Sequence, residues 1–130
     1  MTSPPMPPDP QHPLLVLVED DDAVRRSLQL LLFGRGFQVR SFASASSALA
    51  DPGAIDARYL VADYRLPESD GVSLLRAMRA RGWQGRAVLI TAYASEILRE
   101  AANAVGFNAI VEKPLRQQDL FGALTERFAI

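Results

Sequence analysis

The chain has 130 residues, 15 acidic and 14 basic side chains, and a formal net charge of −1. That length suits one domain with a real core, and the near-neutral balance gives neither a basic field for nucleic acid nor a polybasic membrane patch. With no cysteine, disulfides, zinc-thiolate sites and thiol catalysis are excluded, which agrees with a reducing, cytoplasmic setting.

Residues 1–13 (MTSPPMPPDPQHP) hold six of the nine prolines and the only histidine, His12. No apolar periodicity runs through them, so a disordered or polyproline-II tail is expected, followed by one domain over 14–130. The tail has neither the basic start nor the apolar segment of a signal peptide. Apolar runs elsewhere stop at about 5 residues, where a membrane span needs about 18.

From residue 14 short apolar runs alternate with helix-period segments. Residues 14–18 (LLVLV), 59–62 (YLVA), 87–90 (AVLI) and 109–111 (AIV) are nearly continuous apolar runs, as in parallel strands covered on both faces. Residues 37–42 (FQVRSF) alternate more and suit an edge strand. Helices are expected over 23–33, stopping at Gly34, over 44–50 behind a Ser44 cap, and over 72–81, stopping at Gly82. Two more are expected over 95–105, stopping at Gly106, and over 116–128. Their stripes, including Ile97, Leu98 and Phe128, face the core by default, and Trp83 and Phe107 read as packing anchors. Strand starts at 14, 37, 59, 87 and 109 are spaced like βα units. The fold class is α/β, a doubly wound parallel sheet between helices.

All strands of a parallel sheet end on one edge, where ligands bind. Glu19, Asp20, Asp21 and Asp22 follow the first strand, Asp63 closes the third, Thr91 the fourth, and Glu112-Lys113-Pro114 the fifth. Asp21 or Asp22 is expected to cap the first helix. Asp63 at the rim of a buried strand is costly unless partnered, and Glu19 and Asp20 beside it add repulsion. A hard divalent cation relieves that repulsion, and oxygen ligands without His or Cys favour Mg²⁺. Thirteen of the 14 basic residues are arginine, and Lys113 is the sole lysine. Arginine is expected to supply surface charge, whereas the compact Lys113 ammonium suits a phosphoryl oxygen and Thr91 can donate to another. Asp63 itself can be the nucleophile.

These residues make the sequence resemble a response-regulator receiver domain of bacterial two-component signalling. The resemblance rests on VEDD (18–21), DYRLPESDG (63–71), TAY (91–93) and EKP (112–114), and runs from about residue 14 to 128. It implies a flavodoxin-like five-stranded sheet of order 2-1-3-4-5 with five helices, and a cis Lys–Pro bond. By the same resemblance Glu19 and Asp20 are the acidic pair and Asp63 accepts phosphate. Thr91 is then the switch hydroxyl and Lys113 the phosphoryl contact. Mg²⁺ would bind Asp20, Asp63 and the Arg65 carbonyl beside Glu19. Arg65 and Tyr93 occupy positions that tune dephosphorylation. Where the family often has an aromatic switch residue this chain has Ile110, and Tyr93 is the partial substitute.

The implied function is phosphoryl transfer from a sensor histidine kinase or histidine phosphotransfer protein to Asp63. The switch would then control partner binding or pass phosphate on. A stand-alone regulator is expected, because the chain ends after the last helix without a DNA-binding segment. The apolar Phe-Ala-Ile end suggests a homodimer through the last helices. A pseudo-receiver that never accepts phosphate is the main alternative. A haloacid-dehalogenase-type phosphohydrolase is disfavoured, since Arg65 stands where its second Asp belongs and no cap domain fits.

Overall fold

A computed structural model of the chain describes residues 12–125; the proline-rich residues 1–11, and 126–130 with Phe128 and the apolar end, lie outside the described residues. In chain order the main elements begin with β1 (Leu14–Val18), α1 (Asp22–Gly34), β2 (Gln38–Phe42), α2 (Ala45–Ala50) and β3 (Tyr59–Asp63). They continue with α3 (Gly71–Ala80), β4 (Arg86–Thr91), α4 (Glu96–Val105), β5 (Ala109–Glu112) and α5 (Gln117–Thr125). The strands pair in parallel in the expected order 2-1-3-4-5.

The continuous apolar runs have the reason expected of them. Leu15, Leu17, Val61, Val88 and Ile90 join Leu28, Leu32, Leu120 and Leu124 of α1 and α5 on one face. Val16, Val18, Leu60, Ala62 and Leu89 join the layer built by α2, α3 and α4 on the other. Strands β1, β3 and β4 therefore bury both faces, at about 25 cal/mol for every Å² of apolar surface removed from water. Strand β2 lies at the edge with Gln38 and Arg40 exposed. Trp83 and Phe107 are buried anchors.

Caps fix the helix starts. Asp21 accepts from the Val24 N–H at 2.9 Å, Ser44 from Ser47 at 3.1 Å, Asp70 from Ser73 at 2.7 Å and Ser95 from Leu98 at 3.1 Å. Each contributes about 1 kcal/mol.

Four expectations need correction. Gly34 is the last helical residue of α1 and not its left-handed stop; that residue is Gly36, at φ 96°. Ile97 is 81% exposed, because α4 buries only Leu98 and Ala102. Residues 126–128 aside, α5 starts at Gln117, one residue later than expected. Arginine is not confined to surface charge. Arg79 is half-buried and donates to three backbone carbonyls, those of Trp83, Gly85 and Gly106. Two small features escaped the sequence reading altogether: a 3-10 turn (Ala54–Asp56) and an antiparallel ribbon pairing Arg65–Leu66 with Ser69–Asp70.

Candidate functional site

Strands β1, β3, β4 and β5 deliver their closing polar residues to one edge. Glu19 follows β1 and is held twice through its backbone. Its N–H donates to the Phe42 carbonyl at 3.0 Å, and its own carbonyl accepts from Arg25 Nη1 at 2.8 Å. Asp63 and Thr91 are the last residues of β3 and β4. Lys113 follows β5, donates its N–H to the Thr91 carbonyl at 2.8 Å, and precedes a cis proline, Pro114.

Glu19, Asp63 and Thr91, at 3%, 6% and 5% exposure, are the only buried polar or charged residues among the described residues. Burying a polar side chain is expensive without partners. All three line one open cavity of about 700 Å³, with Asp20, Asp21, Arg65, Tyr93 and Lys113 around them. Lys113 Nζ donates to Asp63 Oδ2 at 2.6 Å and lies 3.7 Å from Glu19 Oε1. The Arg65 N–H donates to the other Asp63 oxygen at 3.2 Å. Carboxylate oxygens of Glu19, Asp20 and Asp63 fall within 4.8 Å of one another.

One ammonium is too little for this cluster. Burial, followed by the charge of Asp63, lifts the Glu19 carboxyl to about 7, although Lys113 pulls the other way. Burial alone would lower the Lys113 ammonium. Its hydrogen bond to Asp63 and the charges of Asp63 and Glu19 outweigh burial and raise it. The site thus holds surplus negative charge on hard oxygen donors, a set that suits Mg²⁺ and gives soft metals nothing to prefer.

A pH dependence follows. With chelator present, Glu19 holds its proton in the fold up to about pH 7, while the unfolded group releases it near 4.5. The native state then binds more protons across that window, so stability is fully present below it and lost as pH rises through it. The urea midpoint of the wild type is expected to fall across this window relative to Glu19→Gln. Parallel curves for the two proteins would refute the assignment.

Seven of the eight residues singled out from the sequence line this cavity. Ile110 does not; it is half-buried against the α2–α4 side of the sheet. The Thr91 hydroxyl donates to the Tyr93 carbonyl at 3.2 Å and accepts from the Tyr93 N–H at 3.4 Å. The sequence reading missed Tyr64, Val24 and Ala92, which only wall the cavity and carry no chemical signature. Gly71, the last residue of the DYRLPESDG motif, has a steric role. A Cβ there would come within 2.7 Å of both the Asp63 carbonyl oxygen and Leu89 Cδ1, so glycine lets α3 start directly behind Asp63.

The sequence matches the family model of the response regulator receiver domain over residues 15–125. Response regulator protein TmoT of Ectopseudomonas mendocina is 31% identical over 114 residues, covering 88% of this chain and 52% of TmoT. Transcriptional regulatory protein FixJ of Azorhizobium caulinodans is 32% identical over 108 residues, covering 83% of this chain and 51% of FixJ. The chain spans about half the length of these relatives. A CheY-like receiver domain protein from Methanospirillum hungatei JF-1 has a similar structure, with a TM-score of 0.80 at 25% identity, covering 88% of this chain and 92% of its own. Chemotaxis protein CheY4 of Vibrio cholerae shares the fold, with a TM-score of 0.83 at 20% identity over 90% of this chain and 99% of CheY4. The chain belongs to the response regulator receiver domain family.

Proposed function

We propose that this receiver domain is a phosphorylation switch whose acceptor is Asp63. The phosphodonor is a phosphohistidine on a sensor histidine kinase or a histidine phosphotransfer protein. An Asp63 carboxylate oxygen attacks phosphorus, the P–N bond breaks, and its electron pair returns to the imidazole nitrogen, which takes up a proton. Glu19, Asp20, Asp63 and the Arg65 carbonyl would hold Mg²⁺, which when bound neutralises charge on the carboxylates and the phosphoryl oxygens. Lys113 then exchanges its Asp63 contact for a phosphoryl oxygen, and Thr91 turns its hydroxyl from the Tyr93 carbonyl to another. Those two movements bias the domain between two states that partners read differently.

One observation carries this reading. The three buried polar side chains Glu19, Asp63 and Thr91 share one solvent-open cavity with the sole lysine. A fold that needed only stability would bury apolar side chains there. The domain is taken to span 14–130 and to work in the cytoplasm. No helix among the described residues is long and apolar enough to cross a membrane. Contact between copies through the last helices is a separate expectation, and the switch does not require it.

The test is intact-mass analysis after incubation with Mg²⁺ and acetyl phosphate. The protein is expected to gain one phosphoryl group that hydroxylamine removes. If acetyl phosphate and a phosphorylated kinase both leave its mass unchanged, the domain is a pseudo-receiver. Rapid turnover of varied phosphate monoesters would make it a phosphohydrolase.

A further inference from the structure

Helix α4 is secured very differently at its two ends. At its C-terminal end Gly106 adopts φ 101° and caps the helix through N–H donation to the Ala102 and Asn103 carbonyls. The Gly106 carbonyl accepts from Arg79 Nη2 at 2.9 Å. The other guanidinium nitrogen, Nη1, donates to the Trp83 carbonyl at 3.1 Å and the Gly85 carbonyl at 2.9 Å. The same group lies 4.9 Å from the centroid of the buried Trp83 ring, and Trp83 Nε1 donates to the Ala57 carbonyl at 2.7 Å. A Cβ on Gly106 would meet Arg79 Nε at 3.2 Å, so the guanidinium rests against the cap itself. Two residues on, Asn108 exchanges hydrogen bonds with Ala87 at the start of β4, both at 2.8 Å.

The N-terminal end is held more lightly: near it, Arg99 Nη2 reaches Glu112 Oε1 at the end of β5 at 3.3 Å, an ion pair exposed on both sides and therefore weak. Ser95 caps the helix internally, Tyr93 and Ile97 are 73% and 81% exposed, and among the described residues this loop is tied to the end of β4 by the Thr91 hydroxyl on the Tyr93 backbone. Along the whole helix only Leu98 and Ala102 are buried.

We infer that Arg79 makes the C-terminal end of α4 a fixed pivot, while Thr91 governs the loosely held N-terminal end. Arg79 is thus a positioning residue, remote from the phosphoryl chemistry at the opposite end of the sheet. The inference rests on the phosphorylation reading above and adds where the resulting motion is allowed. When Thr91 leaves the Tyr93 backbone for a phosphoryl oxygen, the β4–α4 loop loses its restraint and α4 swings about Gly106. The helix has ten residues, about 15 Å of length, so a tilt of roughly 12° carries its N-terminal end about 3 Å and its pivot less than about 1 Å. Tyr93 and Ile97 ride on the moving end. This backbone relay needs no ring at Ile110.

The native chain has no cysteine, so spin-label pairs can be introduced without background. One label sits at Arg26→Cys on α1, and the other at Ile97→Cys or at Ala104→Cys. Distances are measured by pulsed electron resonance before and after acetyl phosphate with Mg²⁺, with uptake checked by mass. With Arg79 present, phosphorylation is expected to move the 97 label by about 3 Å and the 104 label by less than about 1 Å. In Arg79→Met the 104 label is expected to move as far as the 97 label; Arg79→Lys, which keeps the cation without the planar fork, falls between. A purely structural role would lower the melting temperature of Arg79→Met and leave both displacements as they are. Equal movement of both labels in the Arg79 protein, or an unmoved 104 label in both variants, overturns the pivot. Absence of phosphate uptake overturns the phosphorylation reading and the pivot together; uptake with equal displacements overturns the pivot alone.

Discussion

Asp63→Asn is expected to abolish phosphate uptake and leave the fold intact. A carboxamide oxygen carries no net charge and is a poor nucleophile towards phosphorus, so loss should be complete within detection by intact mass. The stability side is less obvious. Removing one partner of a buried ion pair typically costs about 3–5 kcal/mol, because the other charge is left alone in a poor solvent. Here Lys113 keeps a second carboxylate, Glu19, 3.7 Å away, and its ammonium remains partly exposed. The change also removes the repulsion that helps push the Glu19 carboxyl up to about 7, returning it towards its ordinary range. These opposing effects are expected to leave the unfolding free energy, measured by urea titration, within about 1 kcal/mol of wild type. A variant that still takes up hydroxylamine-labile phosphate would remove Asp63 from its assigned role. One that unfolds would show that the acid is chiefly structural.

The strand-end residues were legible in the sequence for a simple reason. An apolar run such as Tyr-Leu-Val-Ala has no use for a following Asp unless the chain has just reached the rim of the sheet. The same holds for Thr91 after Ala-Val-Leu-Ile, and both residues do close their strands. Parallel pairing then does the rest, since it places every such rim on one edge. Contacts that depend on side-chain identity at short range were also readable. The Ser95 and Asp21 caps lie three residues from the N–H groups they accept.

What the sequence hid depends on distance or on backbone. Arg79 reaches a carbonyl 27 residues away, and all three of its acceptors are main-chain oxygens that any residue type would offer. No spacing rule marks such a clamp. The choice between Gly34 and Gly36 at the end of α1 turns on which residue enters the left-handed region. That is decided where Arg35, Gly36 and Phe37 donate to the Leu32 and Phe33 carbonyls. Ile97 and Leu98 are adjacent and equally apolar; only the narrow contact α4 makes with the sheet separates the exposed one from the buried one. The ribbon at Arg65–Leu66 and Ser69–Asp70 is two residues per strand, too short for alternation to register.

Lys113→Met should separate the two duties of the lone lysine. In the unphosphorylated protein its ammonium sits 2.6 Å from Asp63 and 3.7 Å from Glu19, and methionine offers neither carboxylate anything. With chelator at pH 8 the variant is expected to lose about 1–3 kcal/mol of stability. That lies below the usual cost of breaking a buried pair, because the lysine side chain is 37% exposed and solvent screens it. The loss should shrink at pH 5.5, where Glu19 carries a proton, and Mg²⁺ should reverse it by replacing the missing positive charge. Asp63 keeps its carboxylate, so phosphate uptake by mass is expected to persist. What disappears is the charge-assisted bond to the phosphoryl group, about 1.5–3 kcal/mol, which shifts the switch equilibrium roughly ten- to a hundredfold towards the resting state. The 97 label should then stay near its resting distance despite full phosphorylation. Movement like that of wild type would mean that Lys113 only balances charge in the resting protein. An Arg at the same position discriminates further, since it restores the charge but replaces a compact ammonium by a planar fork. Recovery of stability without recovery of the displacement would assign the switching role to the shape of the lysine head group.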